Sequence, residues 1–199
     1  MTIALFCFLQ TGSYVLIQQF SLVNARSVEL AIDSYIPFIP FFSLPYVLFY
    51  VYLPSVPLYI SFKSNADFKK YKIVWILTLA ICSLIHVLYP TYIIRAQIHG
   101  TDIFSRFVAF IYSVDGITNC MPSVHCATAW LAFIGIRHRN EIKPLIKFML
   151  CLLSLCICFS TVLIKQHWVI DILSAVAIVE LVWFAVGKVQ QYQIQKKTS

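Results

Sequence analysis

Lys165-Gln166-His167-Trp168-Val169-Ile170-Asp171 stands near the start of the last hydrophobic segment of the chain. Read as the opening turn of a helix, it puts His167 and Asp171 four residues apart on one face. A carboxylate at that spacing accepts the Nδ1–H of the imidazole, fixes its tautomer and leaves Nε2 free as base or nucleophile. Histidine and aspartate meet at this spacing by chance in many helices, so the pair is weak taken alone. A second stretch, Asn119-Cys120-Met121-Pro122-Ser123-Val124-His125, opens another hydrophobic segment. Two membrane-helix mouths, each carrying a histidine, is the arrangement that the rest of the chain supports or sinks.

Composition places those mouths in a bilayer. The 199 residues are 60% hydrophobic and only 12% charged, with a mean hydropathy of +0.83, whereas a soluble domain is about 25% charged. Sixteen phenylalanines and eleven tyrosines suit lipid-facing surfaces and interfacial belts. The net charge of +7 is distributed as a topology signal, not as a nucleic-acid patch. Of the seven cysteines, Cys7, Cys82, Cys151, Cys156 and Cys158 lie in apolar runs and act there as small hydrophobes. That excludes a disulfide framework and leaves Cys120 and Cys126, which flank the second stretch.

The chain reads as one domain: an all-α integral membrane protein of six transmembrane helices plus a short interfacial helix between spans three and four. The first apolar run, Ile3 to about Leu22, has no basic residues before it, unlike a signal peptide, although Val23-Asn24-Ala25 loosely resembles a cleavage site. A polar link from Arg26 to Asp33 follows. The second span, about Tyr35 to Phe62, holds five of the eight prolines and is expected to be kinked and irregular at its entrance. Lys63 to Lys72 is expected as a basic loop, and the third span runs from about Ile73 to Tyr92. From Thr101 to Ser113 a polar side of Asp102, Arg106 and Ser113 opposes apolar positions, which predicts a helix lying at the membrane surface and stopped by Gly116. The fourth span is about Met121 to Ile136, with Pro122 in its first turn. A second basic loop, Arg137 to Lys147, leads to span five (about Phe148 to Ile164), span six (about His167 to Val186) and a polar tail.

Orientation follows from counting. Lys63, Lys69, Lys70, Lys72, Arg137, Arg139, Lys143, Lys147, Lys188, Lys196 and Lys197, 11 of the 15 basic residues, fall after spans two, four and six. Only Arg26, Arg95, Arg106 and Lys165 fall on the other side. The positive-inside rule then makes both termini cytoplasmic. Helix parity gathers Arg95, Ser123, His125, Lys165, His167 and Asp171 at the extracytoplasmic face.

Cations beside helix N-termini make an anion site, because free backbone N–H groups and the helix dipole favour negative charge there. Ser123 adds a hydroxyl, Arg95 a bidentate fork and Lys165 a point charge, with Asn119 close by. Two histidines then supply chemistry at phosphorus, one neutral to attack and one protonated to release the leaving oxygen. Each residue has a plainer reading: a helix-end pair for His167 and Asp171, a helix start for Pro122 and Ser123, snorkelling for Arg95 and Lys165. His86 in span three is expected to make a buried hydrogen bond, and Glu180 in span six a contact inside the bundle, as a protonated acid or an ion. Cys120, His125, Cys126 and His167 are a candidate metal-ligand set near this face. Their spacing fits no zinc pattern, and Cys126 points about 100° away from His125 on a helix. A transporter or scaffold would instead spread polar groups through mid-membrane.

At these residues the chain resembles the type 2 phosphatidic acid phosphatase superfamily, the membrane lipid phosphate phosphatases. The family's motifs read Lys-x6-Arg-Pro, Pro-Ser-Gly-His and Ser-Arg-x5-His-x3-Asp. Here Arg95 survives from the first, with Leu88 at the lysine position and Ala96 in place of proline. The second reads Pro122-Ser123-Val124-His125, and in the third Ser160, His167 and Asp171 match while Thr161 replaces the arginine. The resemblance, over about residues 35–187, implies that His167 is a nucleophile forming a phosphohistidine and that Asp171 orients it. It further implies that His125 is the general acid, that Arg95 and Ser123 hold phosphate, and that no metal or other cofactor is needed. Lys165 and Asn119 are added as substrate-binding residues by position alone. The expected partners are a membrane lipid phosphate and the bilayer. The reduced motifs also resemble the inositol phosphorylceramide and sphingomyelin synthases, which transfer a phospho-headgroup. The short outer loops offer no obvious cradle for an acceptor, with Asn119, Asp115 and Asp102 as its possible pieces.

Overall fold

In the computed structural model, residues 24–198 are described together with Phe8 and residues 10–12 and 16–18. The first expected span, Ile3 to about Leu22, therefore lies for the most part outside the described residues. The chain is all-helical, 74% helix. Among the described residues from Arg26 onward its α-helices are α1 (Ser43–Lys63), α2 (Asn65–Leu88), α3 (Ile103–Val114), α4 (Val124–Arg137), α5 (Pro144–Leu163) and α6 (Val169–Thr198). Two short strands, β1 (Arg26–Ser27) and β2 (Thr91–Tyr92), pair in parallel, with Arg26 opposite Thr91.

Among the described residues four helical segments are long and apolar enough to cross a membrane: Pro40–Lys63, Asn65–Leu88, Pro144–Leu163 and Val169–Lys196. The expectation of six spans is met only to that extent. The fourth expected span is α4, and its 14 residues make about 21 Å of helix at ~1.5 Å per residue, short of a ~30 Å hydrocarbon core. Its shortness is compatible with membrane depth because α4 is enclosed. It packs on α1, α2, α5 and α6, and Cys126, Ala127, Ala129, Ala132 and Gly135 on its surface are small enough for close approach. At Gly135 a Cβ would come within 2.9 Å of the Ile60 and Tyr71 side chains, so glycine sets how near α1 and α2 lie to α4.

Local chemistry explains most boundaries and corrects several expectations. The proline-rich entrance is irregular, as expected: 3-10 turns at Ala31–Tyr35 and Pro40–Phe42 precede α1, which carries Pro54 and Pro57 within it. The expected basic loop from Lys63 to Lys72 is helical apart from Ser64, whose hydroxyl accepts from the Asp67 backbone N–H and caps α2. The helix expected between spans three and four is α3. Asp102 caps it by accepting from the N–H groups of Phe104 and Ser105, while Ile103, Phe107 and Phe110 stay exposed. Pro122 lies outside α4, because Ser123 is the cap and accepts from the Cys126 N–H at 3.3 Å. The last helix starts at Val169, two residues after His167, and continues through the expected polar tail.

His86 makes the buried hydrogen bond expected of it, whereas Glu180 sits in a partly exposed ion pair rather than inside the bundle. His86 Nε2 lies 3.0 Å from the carbonyl of Pro122, just ahead of α4. Glu180 is gripped by both terminal nitrogens of Arg137, at 2.8 and 3.0 Å, and by the Trp130 indole N–H at 3.1 Å.

Candidate active site

Two irregular segments meet at one end of the bundle. The first, 115–123, runs from the end of α3 to the start of α4. Thr118 bridges to Tyr92, Ile93 N–H donates to Ile117 O at 3.0 Å, and Met121 N–H donates to the Thr91 hydroxyl at 2.9 Å. The second, 164–168, turns from α5 into α6. The Thr161 carbonyl takes the N–H groups of Gln166 and His167 at 2.8 and 3.1 Å, and the Trp168 indole donates to Tyr92 O at 3.0 Å. Thus the position where the family arginine is missing serves this turn through its main chain.

His167 Nδ1 lies 3.1 Å from Asp171 Oδ2. The pair spans the junction of loop and helix rather than one helix face, a geometric correction that leaves the contact intact. The same carboxylate oxygen accepts the Trp168 N–H at 2.9 Å, and Asp171 is fully buried. Nδ1 is therefore the protonated donor, and Nε2 has no partner among the described residues. Burial pulls the His167 pKa down, but the hydrogen bond and charge of Asp171 outweigh it and hold the pKa above the ordinary value.

A cavity of about 260 Å³ opens on this histidine. Its wall includes His125, His167, Tyr46, Phe49, Tyr50, Asp115, Thr118, Asn119, Cys120, Val124 and Gln166, with Gln10 and Thr11 from the partly described N-terminal stretch. His125 is clamped between rings, with centroids 4.3 Å from Tyr46 (stacked) and 3.6 Å from Phe49. Its Nε2 is 3.4 Å from the Tyr46 carbonyl. The Tyr46 hydroxyl donates to Asp115 at 2.5 Å. Asn119 sits at φ 60° in the left-handed region, which asparagine tolerates better than most residues. Its amide oxygen and nitrogen, Gln166 Nε2 and the Thr118 hydroxyl are buried without a partner among the described residues.

The structure thus brings together four of the seven expected site residues: His125 and His167 with Asp171 behind, and Asn119. The other three serve as braces and are not among the cavity's lining residues. Arg95 donates to the carbonyls of Tyr112, Asp115 and Gly116 at 2.7–2.8 Å and to Gln166 Oε1 at 2.9 Å. Lys165 Nζ donates to the carbonyls of Asp33 and Ile36 at 3.1 and 2.7 Å. Ser123 caps α4. No lysine or arginine lines the cavity among the described residues. The sequence does not single out Tyr46, Thr118 and Gln166, although Gln166 adjoins His167 and Thr118 adjoins Asn119, whereas Asp115, expected as a piece of an acceptor cradle, does line the cavity.

One potential metal-ligand set differs from the expected one. A ligand atom from each of Cys120, His167 and Asp171 lies within 4.8 Å of the others. In the structure His167 and Asp171 face each other as a hydrogen-bonded pair at 3.1 Å, and burial together with the Asp171 charge pushes the Cys120 thiol well above its usual pKa.

The sequence matches the PAP2 superfamily over residues 72–195, more than half of the chain. The chain belongs to the PAP2 superfamily. Its members are generally phosphatases or related phosphotransferases acting on phosphate esters, and several long apolar helices fit a membrane member of it. The matched region carries both histidines and Asp171 and stops short of Asp33 and Tyr46. No curated protein and no solved structure matches the chain.

Proposed function

We propose that this PAP2 protein hydrolyses a phosphomonoester or diphosphate of a membrane lipid through a phosphohistidine on His167, without a metal. The contact between His167 Nδ1 and Asp171 Oδ2, with Nε2 unpartnered in a cavity shared with His125, carries this reading. Neutral Nε2 attacks phosphorus, and a P–N bond forms as the bond to the lipid oxygen breaks. His125, as imidazolium, gives its proton to that oxygen. Water then attacks the phosphohistidine, returns a proton to His125 and releases inorganic phosphate. Asp171 stabilises the cationic ring that forms when His167 bonds to phosphorus. The N-terminal end of α4 opens on the cavity at Val124, where the helix dipole favours an anion.

A second reading is favoured by the composition of the wall. Asp115 and Asn119, expected as pieces of an acceptor cradle, both line the cavity beside Thr118 and Gln166; Asp102 caps α3 instead. Such a wall suits hydroxyl groups and supports transfer of the phospho-group to an alcohol.

The reading further places both termini in the cytoplasm and the cavity on the extracytoplasmic face, supported by the 11-to-4 division of basic residues. The test is phosphate release by purified protein, with and without EDTA, together with trapping of phosphate on His167. Unchanged release in EDTA and a trapped adduct that His167→Ala abolishes are expected. Release that EDTA stops overturns the metal-free reading. Labelling of a cysteine at Gln97 from the cytoplasm overturns the topology.

A further inference from the structure

The turn that presents His167 is braced from a part of the chain outside the family match. The Asp33 carboxylate is 1% exposed. Its two oxygens accept one backbone N–H each, from Leu30 at 2.8 Å and from Val169 at 2.9 Å. Val169 is the first residue of α6, two before Asp171. Lys165 then reaches back to the carbonyls of Asp33 and Ile36, and Ile39 N–H donates to Leu163 O at 2.9 Å. Lys165 itself holds φ 53°, a left-handed conformation that a side chain with a Cβ rarely adopts. The N–H groups of Trp168 and Val169 thus end on two different carboxylates, Asp171 and Asp33.

We propose that Asp33 and Lys165 are positioning residues, a latch that sets the turn and the first residues of α6 so that Asp171 meets His167. The proposal rests on the reading of His167 as nucleophile. Neither residue lines the cavity, so the latch acts through the main chain. A helix end is its loosest part, since its first N–H groups have no partner within the helix. Asp33 supplies that partner at Val169 and holds the end against residues 30–39. Without the latch the end carrying Asp171 shifts, and a displacement of ~1 Å in a reacting pair lowers the rate by up to about 100-fold.

Three variants test it in the full chain: Asp33→Ala, Lys165→Asn and the double variant. Asparagine keeps the left-handed backbone accessible but is too short to reach both carbonyls. Each single change is expected to lower kcat by about 10- to 100-fold. KM for the phosphate ester and inhibition by inorganic phosphate should hold within about twofold. The double variant should lose little more than the worse single one, because both remove one device.

A readout independent of turnover is the titration of His167, followed by NMR on histidine-labelled protein. It should lie above the ordinary histidine range in the wild type and fall toward it in each variant. The other groups that interact with His167 electrostatically, Asp115, Cys126, His125 and His86, are unaltered by these substitutions. If Lys165→Asn raises KM and abolishes phosphate inhibition while the titration stays in place, Lys165 binds substrate and the latch is wrong. Losses that multiply in the double variant overturn it as well. Should Asp33→Ala fail to accumulate, Lys165→Asn decides alone, and an unchanged kcat and titration sink the proposal. If the wild type turns over no phosphate ester, the nucleophile reading fails while the titration still decides the latch.

Discussion

The backbone N–H of Ser123 donates to the backbone carbonyl of Asp171 at 3.1 Å. This bond joins the cap of α4 to the first turn of α6, so His125 and His167 move with one frame. Ser123 has a structural task at both ends, since its hydroxyl also takes the Cys126 N–H. Ser123→Ala is expected to lower stability by about 1 kcal/mol, a typical cap loss, or ~2–4 °C in Tm for a chain of this size. Activity should fall with it. Ser123→Asn, which restores a capping oxygen, should recover the melting temperature and most of the activity. A variant that regains stability but stays inactive would show that the hydroxyl itself acts on the substrate, as the family resemblance implies.

The pH dependence carries a definite sign. His167 must be neutral to attack, and its pKa stands above the ordinary 6.5 because Asp171 outweighs burial. The acid limb of the rate profile should therefore lie above 6.5, with activity rising as pH climbs through it. Asp171→Asn removes the charge and leaves burial, so the limb should move below that value while the maximal rate drops. The limbs belong to the coupled histidine pair rather than to one residue. A limb that stays in place in Asp171→Asn would mean that Asp171 does not set the His167 charge.

His125 is held by ring stacking and by its distance to the Tyr46 carbonyl, so its removal leaves an apolar slot rather than an unpaired ion. His125→Ala is accordingly expected to fold. General acid help is worth about 10²–10⁴-fold and matters most for poor leaving groups. The variant should lose far more on an alkyl phosphate than on an aryl phosphate. Equal losses on the two would take the leaving-group role away from His125.

The parts of this architecture that were legible in the sequence are those written in composition and short spacing. Apolar length gave α1, α2, α5 and α6, amphipathic alternation gave α3, and the i, i+4 relation gave the contact of His167 with Asp171. What stayed illegible depends on where loops run. Arg95 and Lys165 look identical in sequence whether their charges face a phosphate or a row of carbonyls, and here they meet carbonyls from Asp33, Ile36, Tyr112, Asp115 and Gly116. The helical run through Lys69, Lys70 and Lys72 was hidden for a similar reason: charge marks the membrane boundary, not the end of a helix. Asp33 stood in a polar link with no motif around it, and only the packing of residues 30–39 on the 163–169 turn reveals its partners.

Partition between water and alcohol follows from what surrounds the phosphohistidine. Hydrolysis and transfer share the first half-reaction and differ in what attacks the P–N bond. A transferase holds its acceptor and limits water, which takes a polar wall beside the reacting nitrogen. Here that wall is Asp115, Thr118, Asn119 and Gln166, three of them with buried polar atoms unpaired among the described residues. An unpaired buried amide is unfavourable by about 1–3 kcal/mol, and a hydroxylated acceptor seated there would relieve it. Water relieves it too, and the cavity's ≈ 260 Å³ has room for several molecules at ~30 Å³ each. Hydrolysis is therefore expected as the main outcome in water alone, with transfer as a competing path. Asn119→Ala should leave phosphate release within about threefold and reduce the share of product formed on an added alcohol. The measurement is the ratio of free phosphate to phosphorylated alcohol as the alcohol concentration is raised. Scarce phosphate in water alongside abundant exchanged product would make the protein a transferase.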